Sequence, residues 1–219
     1  ENITVDSKAS SKQKKQEGNY FDSFIGMDFF YDKRNQKYQT TSGFFSNYSV
    51  NMPVISDTNT LTNTYNYKIF KELYENNVST FSFLFKSSNS LSGEDIKLSE
   101  RLYIPGKRLR GFEAGKIGPK DGSDYVGGNY VSSINATTTI PLILENVQSV
   151  DVVMFADAAN IWGVDYDSSL DKNGIRSSVG IGIDWLTAVG PLTFSFAHPI
   201  TKEPSDIEET FRFNIGTSF

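Results

Sequence analysis

Apolar and polar residues alternate along most of this chain, in short segments parted by polar runs. Ile25, Met27, Phe29 and Tyr31 fall on one side of the first segment and Gly26, Asp28, Phe30 and Asp32 on the other, the two-residue period of a strand with unlike faces. The period returns at Phe44, Ser46, Tyr48, Val50 and Met52, where Pro53 predicts a stop. It returns again at Tyr65, Tyr67 and Ile69, then at Phe81, Phe83 and Phe85. After Gly127-Gly128, Ile134, Ala136, Thr138 and Ile140 oppose Val131, Ser133, Asn135 and Thr137, and Pro141 ends the segment. Next, Val152, Met154 and Ala156 oppose Asp151, Val153, Phe155 and Asp157. Three further segments follow: Ile175 to Trp185, Leu192 to His198, and Phe211 to Phe219.

This pattern predicts about nine strands of roughly 8–13 residues. Strands that cross a membrane need about 9–11 residues, whereas strands of soluble proteins are most often about 5–6. Short turns are predicted around 34–42, 74–77, 145–149 and 187–191, and longer polar loops at 53–60, 89–127, 161–174 and 201–209. Short turns on one rim and long loops on the other are the asymmetry of an outer-membrane barrel. Alternation alone leaves a soluble sandwich open, because either phase could lie against the apolar face.

Composition narrows the choice. Aromatics make up 14% of the chain, led by 17 Phe and 11 Tyr, which favours strands and suits aromatic girdles. No run of 18 apolar residues exists, so no membrane helix is predicted; alternating strands escape such a scan. A net charge of -5 with a pI near 5.0 supplies no basic stripe for nucleic acid, which is excluded as a partner. With no cysteine and one histidine, neither a disulfide frame nor a thiolate or histidine metal set is expected. His198, at a strand end beside Pro199, reads as a surface or interface residue. Asp28 with Asp32, and Asp151 with Asp157, share faces and could serve acid–base chemistry. Polar residues lining a wet lumen are the simpler account, so no catalytic residue, metal or cofactor is expected. Residues 1–22 are polar and carry Lys8, Lys12, Lys14 and Lys15, the composition of a solvated loop or disordered start. The chain opens on Glu1 without a signal-peptide pattern, and a missing start is expected.

The loop RLYIPGKRLRGFEAGKIGPKDG, the following VGGN, the strand FADAANIW, the segment GPLTFSFAHPI and the ending FRFNIGTSF occur in that order. Together they resemble the carboxyl-terminal barrel of the BamA family, also called the bacterial surface antigen family, from about Ser23 to Phe219. The resemblance implies an all-β fold: an antiparallel transmembrane β-barrel, here about nine carboxyl-terminal strands of a 16-stranded one. Residues 1–22 would then be an extracellular loop, and 23–219 the barrel part with the inward-folding loop 89–127. Upstream strands and periplasmic POTRA domains would precede this chain.

By the same resemblance, Leu109-Arg110-Gly111-Phe112 folds back into the lumen as an anchor. Its arginine would meet Phe155 and Asp157, which alternation places on one face. A planar guanidinium in a confined lumen suits a carboxylate bidentately. Two positions depart from the family pattern: Thr137 stands where a glutamate is frequent, and Ala159 where a glycine is usual. On the last strand, Phe211, Phe213, Ile215 and Phe219 share a face, and the resemblance makes this strand one side of a lateral gate to which a client strand adds by edge pairing. Gly216 would favour its inward bend.

The implied function is non-enzymatic assembly and insertion of outer-membrane proteins at the bacterial outer membrane. Implied partners are outer-membrane lipid, unfolded outer-membrane clients and the lipoproteins of the assembly complex. A related TamA-like or two-partner-secretion barrel, which also carries an RGF-type loop, is the alternative. A passive porin fits less well, because porins lack such a loop.

Overall fold

Strands with one apolar and one polar face can join edge to edge only if each face meets a suitable phase. A computed structural model describes residues 1–37, 39–75, 77–140, 149–171, 174–187 and 190–216. Its main strands are β1 (Asp22–Asp32), β2 (Gly43–Ser56), β3 (Thr60–Tyr74), β4 (Asn77–Ser90) and β5 (Tyr130–Thr139). They are followed by β6 (Val150–Trp162), β7 (Arg176–Thr187), β8 (Gly190–Thr201) and β9 (Phe211–Ile215). Each is antiparallel to its sequence neighbours in one nine-stranded sheet. This is the wall of an antiparallel transmembrane β-barrel.

The two faces of that wall are inverted relative to a soluble sandwich. Ile134, Met154, Val179, Ile181, Phe196 and Phe211 are exposed on one face. Val153, Phe155, Asp157, Ala159 and Ile161 are buried on the other, under the long connection from β4 to β5. Among the described residues no second sheet covers the apolar face. Hydrocarbon is the phase that such a face requires, and strand pairing satisfies the backbone that crosses it.

The strand ends depart from the simple pattern. Pro53 lies inside β2, which continues to Ser56, where sequence predicted a stop. The register shifts between Ser23 and Phe24, so that Phe24 faces Pro53 and Val54 is left over. Such a bulge tolerates a residue without an N–H. The loop predicted at 53–60 therefore shrinks to residues 57–59, and the rims are less unequal than expected. Pro141, the turn residues 145–148, Ala188, Val189 and Phe219 lie outside the described residues.

The polar start, read from sequence as solvated, makes specific contacts in the structure. Asn2–Ile3 pairs with Gly18–Asn19, and between them Ser10 caps the one-turn helix Ser11–Lys14. Lys12 Nζ lies 2.6 Å from Asp167, Ser10 Oγ donates to Asp121 at 2.6 Å, and the Gln16 amide oxygen accepts from the Leu98 N–H at 2.7 Å. This segment thus touches both the β4–β5 and the β6–β7 connections.

Neighbouring positions on β5 should respond oppositely to substitution. Ile134→Lys places a cation on the lipid face and is expected to cost about 2–4 kcal/mol in a bilayer. Ser133→Ala removes a buried inward hydroxyl that has no hydrogen-bond partner among the described residues and should cost under about 0.5 kcal/mol. Urea unfolding of the full-length barrel in liposomes checks both.

Candidate functional site

The connection from β4 to β5 has no two-residue period, so its shape comes from turns and anchors. Two short 3-10 turns, Leu98–Glu100 and Gly106–Arg108, redirect it, and Pro105 precedes the second. Leu109 and Phe112 are each 1% exposed. They pack with Ile104 and Ile117 of the loop against Val131, Ala159 and Ile161 of β5 and β6. Burial of each such side chain contributes roughly 1.5–3 kcal/mol before ordering costs. Gly111 has φ +92°, and a Cβ there would stand 3.2 Å from both the Ser178 and Ala197 side chains. Glycine is required by the backbone and by the close approach to β7 and β8.

Between these apolar anchors Arg110 reaches β6. Its Nε donates to Asp157 Oδ2 at 2.8 Å and its Nη2 to Oδ1 at 2.8 Å. The Arg110 backbone N–H also donates to Oδ2, at 3.1 Å, and Asn135 Nδ2 donates to Oδ1 at 2.9 Å. Asp157, fully buried, thus accepts four hydrogen bonds, about the capacity of a carboxylate. The guanidinium lies over the Phe155 ring, 3.4 Å from its centre, a cation–π contact. Ser178 Oγ donates to the Arg110 carbonyl. At Thr137, Oγ1 accepts from Arg110 Nη2 at 3.4 Å, a long bond where a glutamate would offer charge. Ala159 packs in the apolar cluster.

Four further contacts escaped sequence reasoning. Arg108 reaches along the inner face toward the earlier strands, donating to Asn66 of β3 at 2.6 Å, Ser82 of β4 at 3.0 Å and Asn135 of β5 at 3.3 Å. Arg212 of β9 donates to the Gly106 and Phe112 carbonyls and to Glu209. Glu208–Glu209 pairs as a short strand with Gly111–Phe112. The side chains of Arg176 and Asp206, both fully buried, pair at 3.0 Å, and Asp206 also accepts from the Gly118 N–H. The one readable signal was alternation, which puts Arg212 inward between Phe211 and Phe213.

The outward side chains of β9 stack on β8: Phe213 on Phe194 at 4.8 Å and Phe211 on Phe196 at 4.9 Å between ring centres. Ile215 is exposed on the same face. Among the described residues, β9 pairs with β8 from Phe211 opposite Phe196 to Ile215 opposite Leu192. Gly216 follows with φ +111°, and its N–H donates to the Pro191 carbonyl at 3.0 Å.

At the rim, Arg101 binds the Asp165 carboxylate, which also accepts from the Ile96 N–H at 2.7 Å and from the Asn129 amide at 3.1 Å. Burial alone would raise the Asp165 pKa. The Ile96 N–H, the Asn129 amide and the Arg101 guanidinium outweigh it and hold the carboxyl below its ordinary value.

A model described as the Omp85 superfamily domain matches residues 1–219. The chain belongs to the Omp85 superfamily. Outer membrane protein assembly factor BamA of Neisseria meningitidis serogroup B is 28% identical over 174 residues, covering 64% of this chain and 22% of that protein. A SAM50-like protein of Schizosaccharomyces pombe is 28% identical over 141 residues, covering 60% of this chain and 29% of that one. The crystal structure of BamA from Haemophilus ducreyi lacking POTRA domains 1–3 superposes with a TM-score of 0.79 at 26% identity, covering 87% of this chain and 41% of that one. This Omp85 chain therefore spans about a sixth to two-fifths of the proteins it matches, and its place is the bacterial outer membrane.

Breaking the buried pair from either side should cost alike. Arg110→Ala and Asp157→Ala are each expected to destabilise the barrel by about 3–5 kcal/mol, because each strands a buried partner. The double variant should be little worse than either single one, which a double-mutant cycle in urea would reveal. A second expectation concerns pH. Because the folded carboxyl of Asp165 titrates below its unfolded value, its contribution is full above the ordinary carboxylate range and is lost as pH falls through the folded value. A spin label at Glu94 should stay immobilised down to about pH 4 and mobilise below it, and Arg101→Gln should move that midpoint upward.

Proposed function

We propose that this chain is part of a barrel that folds and inserts other outer-membrane proteins. In this reading Leu109–Phe112 is a lumenal anchor with Phe155 and Asp157 as its partners, residues 1–22 belong to an extracellular loop, and β9 is the gate strand to which a client strand adds. The observation that carries it is the construction of β9. Among the described residues it has five where the other main strands have 10–15, and a left-handed glycine follows it. Short pairing makes such a strand cheap to displace, and an unpaired edge in lipid costs several kcal/mol per backbone group, which an incoming strand would relieve. Arg212 and the Glu208–Glu209 pairing hold its root to the anchored loop. The names of the related proteins, BamA assembly factors and a SAM50-like protein, point the same way. Clients, outer-membrane lipid and lipoproteins of the assembly complex are the partners this function calls for.

A photocrosslinking amino acid at Asn214 in the full-length protein tests it. Radiolabelled client barrels should crosslink there during assembly and should not crosslink from Phe29 on β1. Assembly at normal rates without any crosslink at Asn214 would sink the gate assignment. Arg212→Ala should slow client assembly several-fold while the barrel itself still folds.

A further inference from the structure

The lipid-facing wall carries a depression of about 790 Å³ between β3 and β7. Two rows of outward residues form it, each crossing five paired strands. Ile69, Phe81, Ala136, Ala156 and Val179 are successive partners in the first row, and the two alanines at its middle make the hollow. Lys71, Ser79, Thr138, Met154 and Ile181 are partners in the second. Ser79 and Thr138 share a 2.9 Å hydrogen bond beside Lys71.

These rows do not run level with the membrane. Lys71 lies near the short-turn end of β3 at Tyr74, and Thr138 is next to that end of β5 at Thr139, whereas Ile181 is mid-strand in β7, which continues to Thr187. Four interstrand steps of about 4.8 Å give a groove of about 19 Å. With strands tilted by about 45°, it climbs about 14 Å, close to one leaflet of a hydrocarbon core about 30 Å thick. Its low end is polar and cationic, and its upper end is apolar. Lys71 is exposed and forms no ion pair among the described residues.

We propose that this groove holds one glycerophospholipid of the leaflet on the short-turn side. Its phosphate would sit on Lys71 Nζ and the hydroxyls of Ser79 and Thr138, and an acyl chain would run past Ala136 and Ala156 toward Ile181. An ammonium at the interface gains an anion and charge-assisted hydrogen bonds. A chain laid in the hollow makes dispersion contacts that a flat wall would not offer. Lipid A is disfavoured because its phosphates lie at the opposite rim. This site depends on the membrane-facing wall alone, independently of any role in client assembly.

Native mass spectrometry of the full-length protein, released from micelles containing dioleoylphosphatidylglycerol, provides the test. One phospholipid should stay bound to the unaltered protein. Lys71→Glu and Ala156→Phe should each lower its retention about tenfold or more, and Met52→Leu, elsewhere on the lipid face, should leave it unchanged. Dioleoylglycerol, with the same chains and no phosphate, should not be retained. Equal retention of dioleoylglycerol, displacement of the phospholipid by lipid A, or retention indifferent to Lys71→Glu would each overturn the proposal. Should Ala156→Phe fail to assemble, Lys71→Gln at an exposed position keeps the headgroup contact open to test.

Discussion

A carboxylate buried in the wall of a barrel is the constraint on which the rest of this structure turns. The Asp157 side chain has no exposed surface, and its charge is tolerable only because four donors converge on it. Two of those donors are the side-chain nitrogens of Arg110, and a third is that residue's own N–H. The β4–β5 connection must therefore return to the inner face of β6 with Arg110 in register. A buried ion pair contributes little net stability, yet a wrong arrangement strands its charges. The pair thus acts mainly as a selector of one loop path among many.

Arginines extend that path in several directions. Arg108 spreads the loop's contact to β3, β4 and β5, while Arg212 ties it to β9 through two loop carbonyls. Arg176 and Asp206 fasten the β8–β9 connection to the root of β7. Guanidinium is suited to all of these tasks because one planar group satisfies several acceptors at once. The long loop consequently behaves as a strut inside the wall, and β9 is attached to the strut as well as to β8.

The outer face obeys a different requirement. Its apolar side chains need only hydrocarbon, so no single contact there selects the fold, and local relief such as the Ala136–Ala156 hollow is tolerated. Specificity accumulates on the inner face, where buried charges must find partners. On the outer face it arises only where a charge such as Lys71 meets the interface.

Much of this was legible in the residues themselves. A two-residue period is a local property, and it assigned the nine strands, the two sets of residues that share a face in each, and the common face of Phe155 and Asp157. Lipid and lumen impose that period on each strand separately, so it survives in the sequence without knowledge of any neighbour. Pro53 was misread because a bulge depends on the register with β1, which no single segment carries. The partners of Arg108, the hold of Arg212 on the loop, the Arg176–Asp206 pair and the docking of residues 1–21 were not legible either. Each joins irregular backbone to a site far away in the chain, and such contacts have no period to announce them. Sequence alone determined which residues face hydrocarbon and which face the interior. Tertiary structure alone decided which interior charges meet, because those meetings depend on where a non-repeating loop is brought to rest.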